Sequence, residues 1–405
     1  MTGSAPHSTV VIGGGIVGLS AARALQARGL AVTVFDAPDA RPPASFGNAG
    51  HIAVEQHEPL ASLTTLRSLP GRLMLFGGPV SVPPGAIGHW LPFGLRLVRA
   101  AAPARFAHGK RALGMLLSEA LPAWQRLMQD SGAPDLLRRQ GNIVAWESVA
   151  AAGRARKALR SYVSPVARWR DLTDVEVRAL EGQVRRCPAD AVCFDGTASV
   201  ADPGAVLAAL RAAFLAGGGT IESRPCTLAQ ARRTGADRIV IAAGARSAPL
   251  MGELGHRVPL IAERGYHIQS AQSRWPMSLA SVVFEERALV ATRFRTGLRA
   301  TSFVEFTYPD APPDPRAWAR LTAHAEALGL PFDSPVSTWV GARPTLPDYL
   351  PALGRSARDP RVLYAFGHQH LGLTLGPLTG EIVADLACGA AARQDLTPFA
   401  IERFA

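Results

Sequence analysis

The stretch "VVIGGGIVGLSAARALQARGLAVTVFDA", residues 10–37, combines three local patterns in a fixed order. Residues 9–12 are β-branched and apolar, as in a buried parallel strand. Ile16–Ala27 holds good helix formers with an apolar face, and Gly29 is expected to end that helix. A second apolar run, Ala31–Phe35, predicts another strand. The order strand, helix, strand is typical of the start of a doubly wound α/β domain.

Glycines fill the turn between the first strand and the helix. Gly13, Gly15 and Gly18 form a G-x-G-x-x-G motif. The first glycine allows a tight turn, the second lets backbone approach a pyrophosphate, and the third lets helix and strand pack closely. Asp36 follows the second strand at the distance expected of a carboxylate that binds a ribose, which disfavours a 2′-phosphate. The motif therefore predicts a site for FAD or NAD; the alternative is a tight turn without a ligand.

Later segments favour FAD over NAD. The loop "RPPASFGNAGHI" (41–52) is rich in small residues, so its N–H groups can pass beside a pyrophosphate and a flavin ring. The segment "DRIVIAAGARS" (237–247) resembles the second cofactor-contacting strand of glutathione-reductase-type flavoproteins. Near the C-terminus, the strand Val362–Phe366 leads into a His/Gly loop and a helix. For that helix we expect Pro377 at the first position and Gly376 as the cap. An NAD-only dehydrogenase does not need this third element.

These segments resemble the FAD-dependent D-amino-acid oxidase/dehydrogenase superfamily, and within it the D-amino-acid dehydrogenase branch. The resemblance lies in the fingerprint, "SFGNAGHI", "DRIVIAAGARS", "GARPTLPDYLPALGRS" (341–356) and "GHQHLGLTLGPLTGE" (367–381). The sequence segments "ERGYHI", "RPTLPDYLPALGR" and "HQHLGLTL" are similar to those of enzymes that oxidise hydroxy-D-proline. Covalently flavinylated relatives carry a cysteine near the position of Arg343, and none lies there in this sequence. The resemblance therefore implies non-covalent FAD.

The fold class that follows is α/β, with an α+β substrate part. A discontinuous, glutathione-reductase-type Rossmann domain binds FAD, and a substrate domain contributes a mainly antiparallel sheet. We expect the FAD-binding domain at 1–60, 195–250 and 335–405, and the substrate domain at 61–194 and 251–334. The substrate cavity is expected between the two domains.

The expected cofactor contacts come from the fingerprint, the small-residue loop, the later strand and the C-terminal loop. They are Gly13, Gly15, Ile16, Val17, Gly18, Asp36, Ala37, Ser45, Asn48, Ala49, Gly50, His51, Ile52, Ala243, Gly244, Gly367, Leu371, Gly372, Leu373 and Thr374. No metal site is expected, because the four cysteines form no C-x-x-C pair and have no His-rich neighbourhood.

The substrate carboxylate of an amino acid needs a cation. Arg343 is the candidate, because a guanidinium offers a bidentate fork to a carboxylate. The alternative for Arg343 is a bond to backbone or to surface acids. Tyr266, in "ERGYHI", can donate its hydroxyl to the same carboxylate, or it belongs to the core. Hydride transfer from Cα to flavin N5 requires a neutral amine and an oriented Cα, and it requires no strong general base.

Three histidines are further candidates, because histidine titrates near neutral pH and can hydrogen-bond the substrate or accept the amine proton. His368 and His370 belong to the C-terminal flavin loop, and His51 follows the small-residue loop. Glu55 and Glu263 can meet a ring hydroxyl or an amine, although a solvated carboxylate is the simpler interpretation.

The predicted function is FAD-dependent oxidation of D-amino or D-imino acids, with cis-4-hydroxy-D-proline or D-proline, giving the cyclic imine, as the best candidates. One alternative is an oxidase of glycine, sarcosine or another secondary amine. Another is an accessory FAD-binding electron-transfer subunit, and a further one is an NAD-binding module. The electron acceptor, whether a quinone, another carrier or dioxygen, stays open.

The composition and charge of the sequence limit the kinds of partner that the protein can bind. The 405 residues carry a formal charge of +11, but the arginines are scattered, which disfavours nucleic-acid binding. No secretory signal is recognisable, so a cytoplasmic protein is expected. Residues 69–108 are apolar, rich in Pro and Gly, and free of acids. They predict either a peripheral membrane contact or carrier-docking loop, or an internal connection packed on the core.

Overall fold

The structure is a computed structural model that describes residues 7–37, 42–164 and 166–405. Arg41, the first residue of the predicted cofactor loop, and residues 1–6 of the first predicted domain segment lie outside these ranges. The helices of the described chain are α1 Ile16–Ala27, α2 Leu63–Arg72, α3 Ile87–Ala100, α4 Pro103–Asp130, α5 Val149–Leu159, α6 Asp174–Glu181, α7 Pro203–Ala216, α8 Leu228–Arg233, α9 Ser247–Gly252, α10 Pro315–Leu328 and α11 Gly372–Ala387. Its strands are β1 Ser8–Ile12, β2 Ala31–Phe35, β3 His51–Ile52, β4 Val80–Ser81, β5 Leu137–Arg138, β6 Asn142–Trp146, β7 Arg168–Asp171, β8 Asp190–Asp195, β9 Ala198–Val200, β10 Thr220–Glu222, β11 Arg238–Ile241, β12 Ile261–Ser270, β13 Ser281–Phe284, β14 Leu289–Phe294, β15 Gly297–Thr307, β16 Val336–Thr345, β17 Ala352–Arg355 and β18 Val362–Phe366.

The first sheet has six strands in the order β10-β2-β1-β11-β18-β17. Its pairings are parallel except that β17 runs antiparallel to β18. Both faces are buried, because alternate residues of one strand enter different cores: Val11 packs with α1 and α11, whereas Val10 and Ile12 pack on the opposite side. This is the doubly wound α/β arrangement expected of the fingerprint, and α1 and β2 have the predicted bounds.

The second sheet has nine strands, eight of them in the order β16-β12-β15-β14-β13-β6-β8-β7, with β4 beside β15. It is mainly antiparallel; only β13 with β6 and β15 with β4 pair in parallel. A core that includes residues of α10 covers one face of this sheet. A third, small sheet joins β3, β9 and β5. The predicted fold class is confirmed, and the domain boundaries stay a prediction, with β16 lying in the antiparallel sheet although it falls within 335–405.

Helices α1 and α11 lie side by side under the parallel sheet. They approach closely at Gly380, where a Cβ would lie 2.6 Å from the backbone of Ser20. This packing brings the first residues of α11 next to the fingerprint turn. The two helix N-termini, which carry partial positive charge, therefore point to the same region.

Candidate active site

A single cavity of about 1610 Å³ connects the carboxyl ends of the parallel strands with the antiparallel sheet. Ligand pockets usually have about 300–1,000 Å³, so this cavity has room for a long cofactor and a small substrate together. At one end it is lined by fingerprint residues such as Gly15, and at the other by sheet residues such as Arg343.

The fingerprint turn requires glycine at two of its three positions. Gly13 has a φ of +115°, and a Cβ there would overlap the carbonyl oxygen of Ala242, the residue directly after the neighbouring strand β11. A Cβ at Gly18 would overlap the carbonyl oxygen of Gly13. The first and third glycines therefore act as the sequence predicts, in the turn and in helix packing.

Asp36 lies where the cavity meets the end of β2. One carboxylate oxygen accepts the Gly14 N–H at 3.1 Å, and the other pairs with Arg211 of α7. A carboxylate has about four acceptor sites, so Asp36 retains capacity for hydroxyl donors such as those of a ribose.

The loop of residues 42–50 forms one wall of the cavity. The N–H groups of Gly47 and Ala49 have no hydrogen-bond partner among the described residues, and both residues line the cavity. Ser45 accepts the N–H of Ile16 at 3.3 Å, which ties the loop to the start of α1. Unpaired backbone donors beside a helix N-terminus suit an anionic group such as a pyrophosphate.

Most of the predicted cofactor residues line the cavity, namely Gly13, Gly15, Ile16, Val17, Asp36, Ala37, Ser45, Asn48, Ala49, His51, Ala243, Gly244, Gly372 and Leu373. Six do not line the cavity: Gly18, Gly50, Ile52, Gly367, Leu371 and Thr374. The Thr374 hydroxyl, for example, accepts the Ala53 N–H at 3.0 Å and holds the loop against α11. The role of both sets as cofactor contacts stays a prediction.

Three buried polar atoms of cavity-lining residues have no partner among the described residues. They are Glu55 Oε2, Thr301 Oγ1 and Trp339 Nε1. Buried polar groups are rarely left unpaired, so such atoms beside a cavity indicate a polar ligand. Together with the free loop N–H groups, this set of hydrogen-bond donors and acceptors fits a flavin dinucleotide.

The helix α11 begins five residues earlier than predicted. The expectation of Pro377 at the first position with Gly376 as cap is wrong: α11 starts at Gly372, and Pro377 lies inside it. Proline cannot donate to the carbonyl four residues before it, here that of Leu373. The buried indole of Trp124 donates to this carbonyl at 3.0 Å instead, and to that of Thr374 at 3.1 Å. A side chain from α4 therefore replaces the missing backbone donor.

Arg343 lines the cavity from β16. Its Nη1 donates to the Phe303 carbonyl at 3.3 Å and lies 3.5 Å from Glu263 Oε1. Glu263 is buried and also accepts hydroxyl bonds from Thr345 at 3.1 Å and Tyr349 at 3.2 Å. Among the described residues, Nε and Nη2 of Arg343 have no hydrogen-bond partner. One half of the guanidinium is anchored, and the other half is available to a carboxylate ligand.

Tyr266 is not placed at the cavity. Its side chain is fully buried, and its hydroxyl donates to Glu305 at 2.6 Å while accepting from Arg264 and from the Asp314 N–H. Burial raises the pKa of this phenol to about 12. The structure supports the second interpretation given for Tyr266, a core residue, because its hydroxyl is occupied by Glu305 and does not face the cavity.

The three candidate histidines all line the cavity. Burial lowers the pKa of His368 to about 3, and its Nε2 lies 3.0 Å from the Thr379 hydroxyl. Burial, with a smaller effect of the Arg343 charge, lowers the pKa of His370 to about 3. Both rings are therefore neutral at physiological pH. His51 Nδ1 donates to the Ala198 carbonyl at 3.2 Å, and its Nε2 lies 2.7 Å from Glu55 Oε1.

Sequence reasoning missed Trp339 and the glycine pair beside it. Gly265 and Gly341 face each other on β12 and β16. A Cβ at Gly341 would overlap the Trp339 ring, and a Cβ at Gly265 would overlap the Arg343 guanidinium. The Trp339 ring and the Arg343 guanidinium thus pack directly against the backbone of these two glycines. The alternation Trp339, Gly341, Arg343 along one strand was the available signal, since alternate residues share a face.

Comparison with known proteins assigns the family. The family model described as "FAD dependent oxidoreductase" matches residues 8–386. The chain belongs to the FAD-dependent oxidoreductase family. The resemblance seen in the sequence is thereby confirmed at family level, and so are the enzyme class and FAD as the cofactor.

Relatives of this FAD-dependent oxidoreductase extend over nearly its whole length. A D-amino-acid oxidase of Bradyrhizobium diazoefficiens is 31% identical over 420 residues, covering 97% of this chain and 98% of the relative. A D-amino acid dehydrogenase 2 of Pseudomonas aeruginosa is 29% identical, covering 93% of each chain.

Two solved structures have a similar fold. Iminodiacetate oxidase of Chelativorans sp. BNC1 has a TM-score of 0.70 at 19% identity, covering 97% of this chain and 98% of that one. Glycine oxidase of Geobacillus kaustophilus has a TM-score of 0.67 at 19% identity, covering 98% of both. At this identity the two structures support the fold alone.

Proposed function

We propose that this FAD-dependent oxidoreductase oxidises D-amino or D-imino acids at the carbon that bears the amine. The observation that carries the proposal is Arg343, whose Nε and Nη2 have no partner among the described residues in a cavity that continues to the fingerprint turn. A free guanidinium edge suits the carboxylate that every amino acid carries. The D-amino-acid oxidase and dehydrogenase relatives support the same substrate class.

FAD, which the fingerprint turn and the loop of residues 42–50 would hold, would supply the two-electron acceptor for oxidation of the substrate. The chain's own groups bind and orient the substrate. Arg343 holds the carboxylate, and Glu263 keeps the guanidinium in place through Nη1. The neutral rings of His368 and His370 add no positive charge beside the substrate amine, which must be neutral to lose hydride. Orientation of the Cα is the main contribution that such a site can make.

Within this class we propose a cyclic D-imino acid, cis-4-hydroxy-D-proline or D-proline, as the substrate. The segments "ERGYHI" and "HQHLGLTL", which resemble enzymes of hydroxy-D-proline oxidation, support the finer assignment. The product is the cyclic imine, a pyrroline carboxylate. The alternative within flavin amine chemistry is an oxidase of glycine, sarcosine or another secondary amine.

Anaerobic bleaching of the protein-bound flavin tests both the proposed substrate class and the proposed cyclic D-imino acid. The panel contains D-alanine, D-proline, cis-4-hydroxy-D-proline, their L-enantiomers, glycine and sarcosine. Loss of visible flavin absorbance with the D-imino acids only is the expected result. Bleaching by glycine or sarcosine with release of hydrogen peroxide in air favours the alternative oxidase. Bound flavin that no amine bleaches contradicts the proposal and favours an accessory electron-transfer role.

We further propose that residues 69–108 make a peripheral contact with an anionic membrane. In α3, the side chains Ile87, Leu91, Leu95 and Val98 recur at helical spacing and are exposed. The segment contains four arginines and no acid, so its charge complements an anionic lipid surface. No helix in the described ranges has the length and apolarity needed to cross a bilayer.

A further inference from the structure

The carbonyl groups of the cofactor loop, which is the loop of residues 42–50 described above, point away from the cavity and towards the antiparallel sheet. Four consecutive carbonyls, those of residues 46–49, accept hydrogen bonds from sheet side chains, and the next, that of Gly50, accepts the Val200 N–H at 2.8 Å. Because successive peptide groups are fixed in this way, the N–H groups of Gly47 and Ala49 are left for the cavity side. The orientation of the predicted flavin-binding donors is thus set from behind the loop.

Arg299 of β15 makes the largest share of these bonds. Its Nη1 donates to the Phe46 carbonyl at 2.9 Å and to the Asn48 carbonyl at 2.7 Å, and its Nε donates to Gln269 Oε1 at 2.8 Å. The residue is 2% exposed, and its guanidinium lies 4.7 Å from the centre of the Phe294 ring. Among the described residues it forms no ion pair, and burial lowers its pKa to about 10. A buried cation is costly, so its presence here points to a specific role.

Three neighbouring side chains fix the same loop. His267 Nδ1 donates to the Gly47 carbonyl at 3.2 Å, and the ring stacks on Trp339. The Thr292 hydroxyl donates to the Ala49 carbonyl at 2.8 Å. Trp339 fits under the loop only because residue 47 is glycine, since a Cβ there would overlap its ring.

We propose that Arg299 is a positioning residue for FAD, which orients the N–H groups of the cofactor loop by holding the Phe46 and Asn48 carbonyls. The affinity for the cofactor therefore depends on the antiparallel sheet as well as on the Rossmann fingerprint. The proposal rests on the proposed function only in that FAD binds in this cavity. It does not depend on which substrate the enzyme oxidises.

FAD titration of the apoprotein, followed by quenching of flavin fluorescence, is the test. Arg299→Gln removes the charge and the paired donors, and we expect the dissociation constant for FAD to rise at least about tenfold. Because a single atom of Arg299, Nη1, makes both carbonyl bonds, Arg299→Lys keeps a cation with several N–H donors on one atom, so it should retain an affinity within about threefold of the unmodified protein. Rescue by lysine separates positioning from a mere loss of packing.

A milder pair of variants guards against a failure to fold. Thr292→Val removes a hydroxyl that bonds the cofactor loop at the Ala49 carbonyl and also contacts Ser281. Ser270→Ala removes a hydroxyl of the same sheet, away from the cavity, that bonds the Gln272 carbonyl at 2.7 Å and also Ser334, so it loses at least as many hydrogen bonds. Weaker FAD binding in Thr292→Val but not in Ser270→Ala supports the proposal. Equal affinities in this pair, or an Arg299→Gln protein that binds FAD normally, overturn it. Normal flavin binding without bleaching by any substrate counts against the proposed function alone.

Discussion

At the residue scale, Arg343 has two halves with different partners. Nη1 is anchored by Glu263 and the Phe303 carbonyl, and the opposite edge is available to a ligand. Arg343→Lys keeps the charge and loses the fork, so KM for the D-imino acid should rise about tenfold with flavin still bound. Steady-state kinetics check this, with Arg274→Lys, at a surface arginine paired with Asp333, as the control.

Removal of the Arg343 charge needs a second substitution. Arg343→Ala alone leaves the buried Glu263 without its cation, which is destabilising in itself. The double variant Arg343→Ala/Glu263→Gln avoids this cost and should lose at least about 100-fold in kcat/KM. An unchanged KM in a protein that retains FAD would exclude Arg343 as the carboxylate ligand.

His368 makes the fold sensitive to acid. Its pKa is about 3 in the folded protein, against about 6.5 when unfolded, so the unfolded state binds more protons between these values. Stability is therefore lost as pH falls below about 6.5, and this residue contributes about 2 kcal/mol of that loss by pH 5. In His368→Asn, the difference in unfolding free energy between pH 7 and pH 5 should shrink by this amount. Denaturant unfolding at the two pH values measures it, and an unchanged difference in His368→Asn would contradict the assignment.

At the element scale, α11 depends on a donor from another helix. Trp124→Phe would keep most of the buried ring but leave the carbonyl freed by Pro377 without a partner, costing about 1–3 kcal/mol of unfolding free energy. Trp275 provides a matched control, since it is equally buried and its indole N–H has no partner among the described residues. Trp275→Phe should cost less than Trp124→Phe in the same denaturant titration. Equal losses would show that packing, not the hydrogen bond, supports α11.

The same helix shows what local sequence can predict. The bounds of α1 and β2 follow from apolar periodicity and from Gly29, which are short-range signals, and the structure has them as predicted. The start of α11 was predicted five residues late because proline usually opens a helix. The compensation comes from Trp124, which is 249 residues away from Leu373 in the chain. No local pattern can reveal a bond of that range.

At the scale of the whole molecule, the candidate site combines residues that are far apart in sequence. The fingerprint could be predicted because turn, helix and acid lie within one short stretch. The placement of Arg343 could be proposed only from a family resemblance, and the buried position of Tyr266 was visible only once β12 lay beside β15. The orientation of the cofactor loop depends on Arg299, more than 250 residues later in the chain. Local motifs therefore predict the part of the site at the parallel sheet, and the part formed by the antiparallel sheet cannot be predicted from them.

The contribution of the exposed apolar stripe of α3 to membrane binding must be separated from the charge of the whole protein. The net charge of +11 attracts an anionic vesicle even without the stripe. Leu91→Gln/Leu95→Gln leaves the charge unchanged and removes apolar area, so binding to vesicles with anionic phospholipid should fall about tenfold in a sedimentation assay. Val149→Gln/Val175→Gln, at similarly exposed positions on other helices, is the matched control and should bind normally. Equal loss in both double variants would mean a nonspecific surface effect. Equal binding by all three proteins would show that charge alone holds the protein on the vesicle, and the stripe would then have no part in membrane contact.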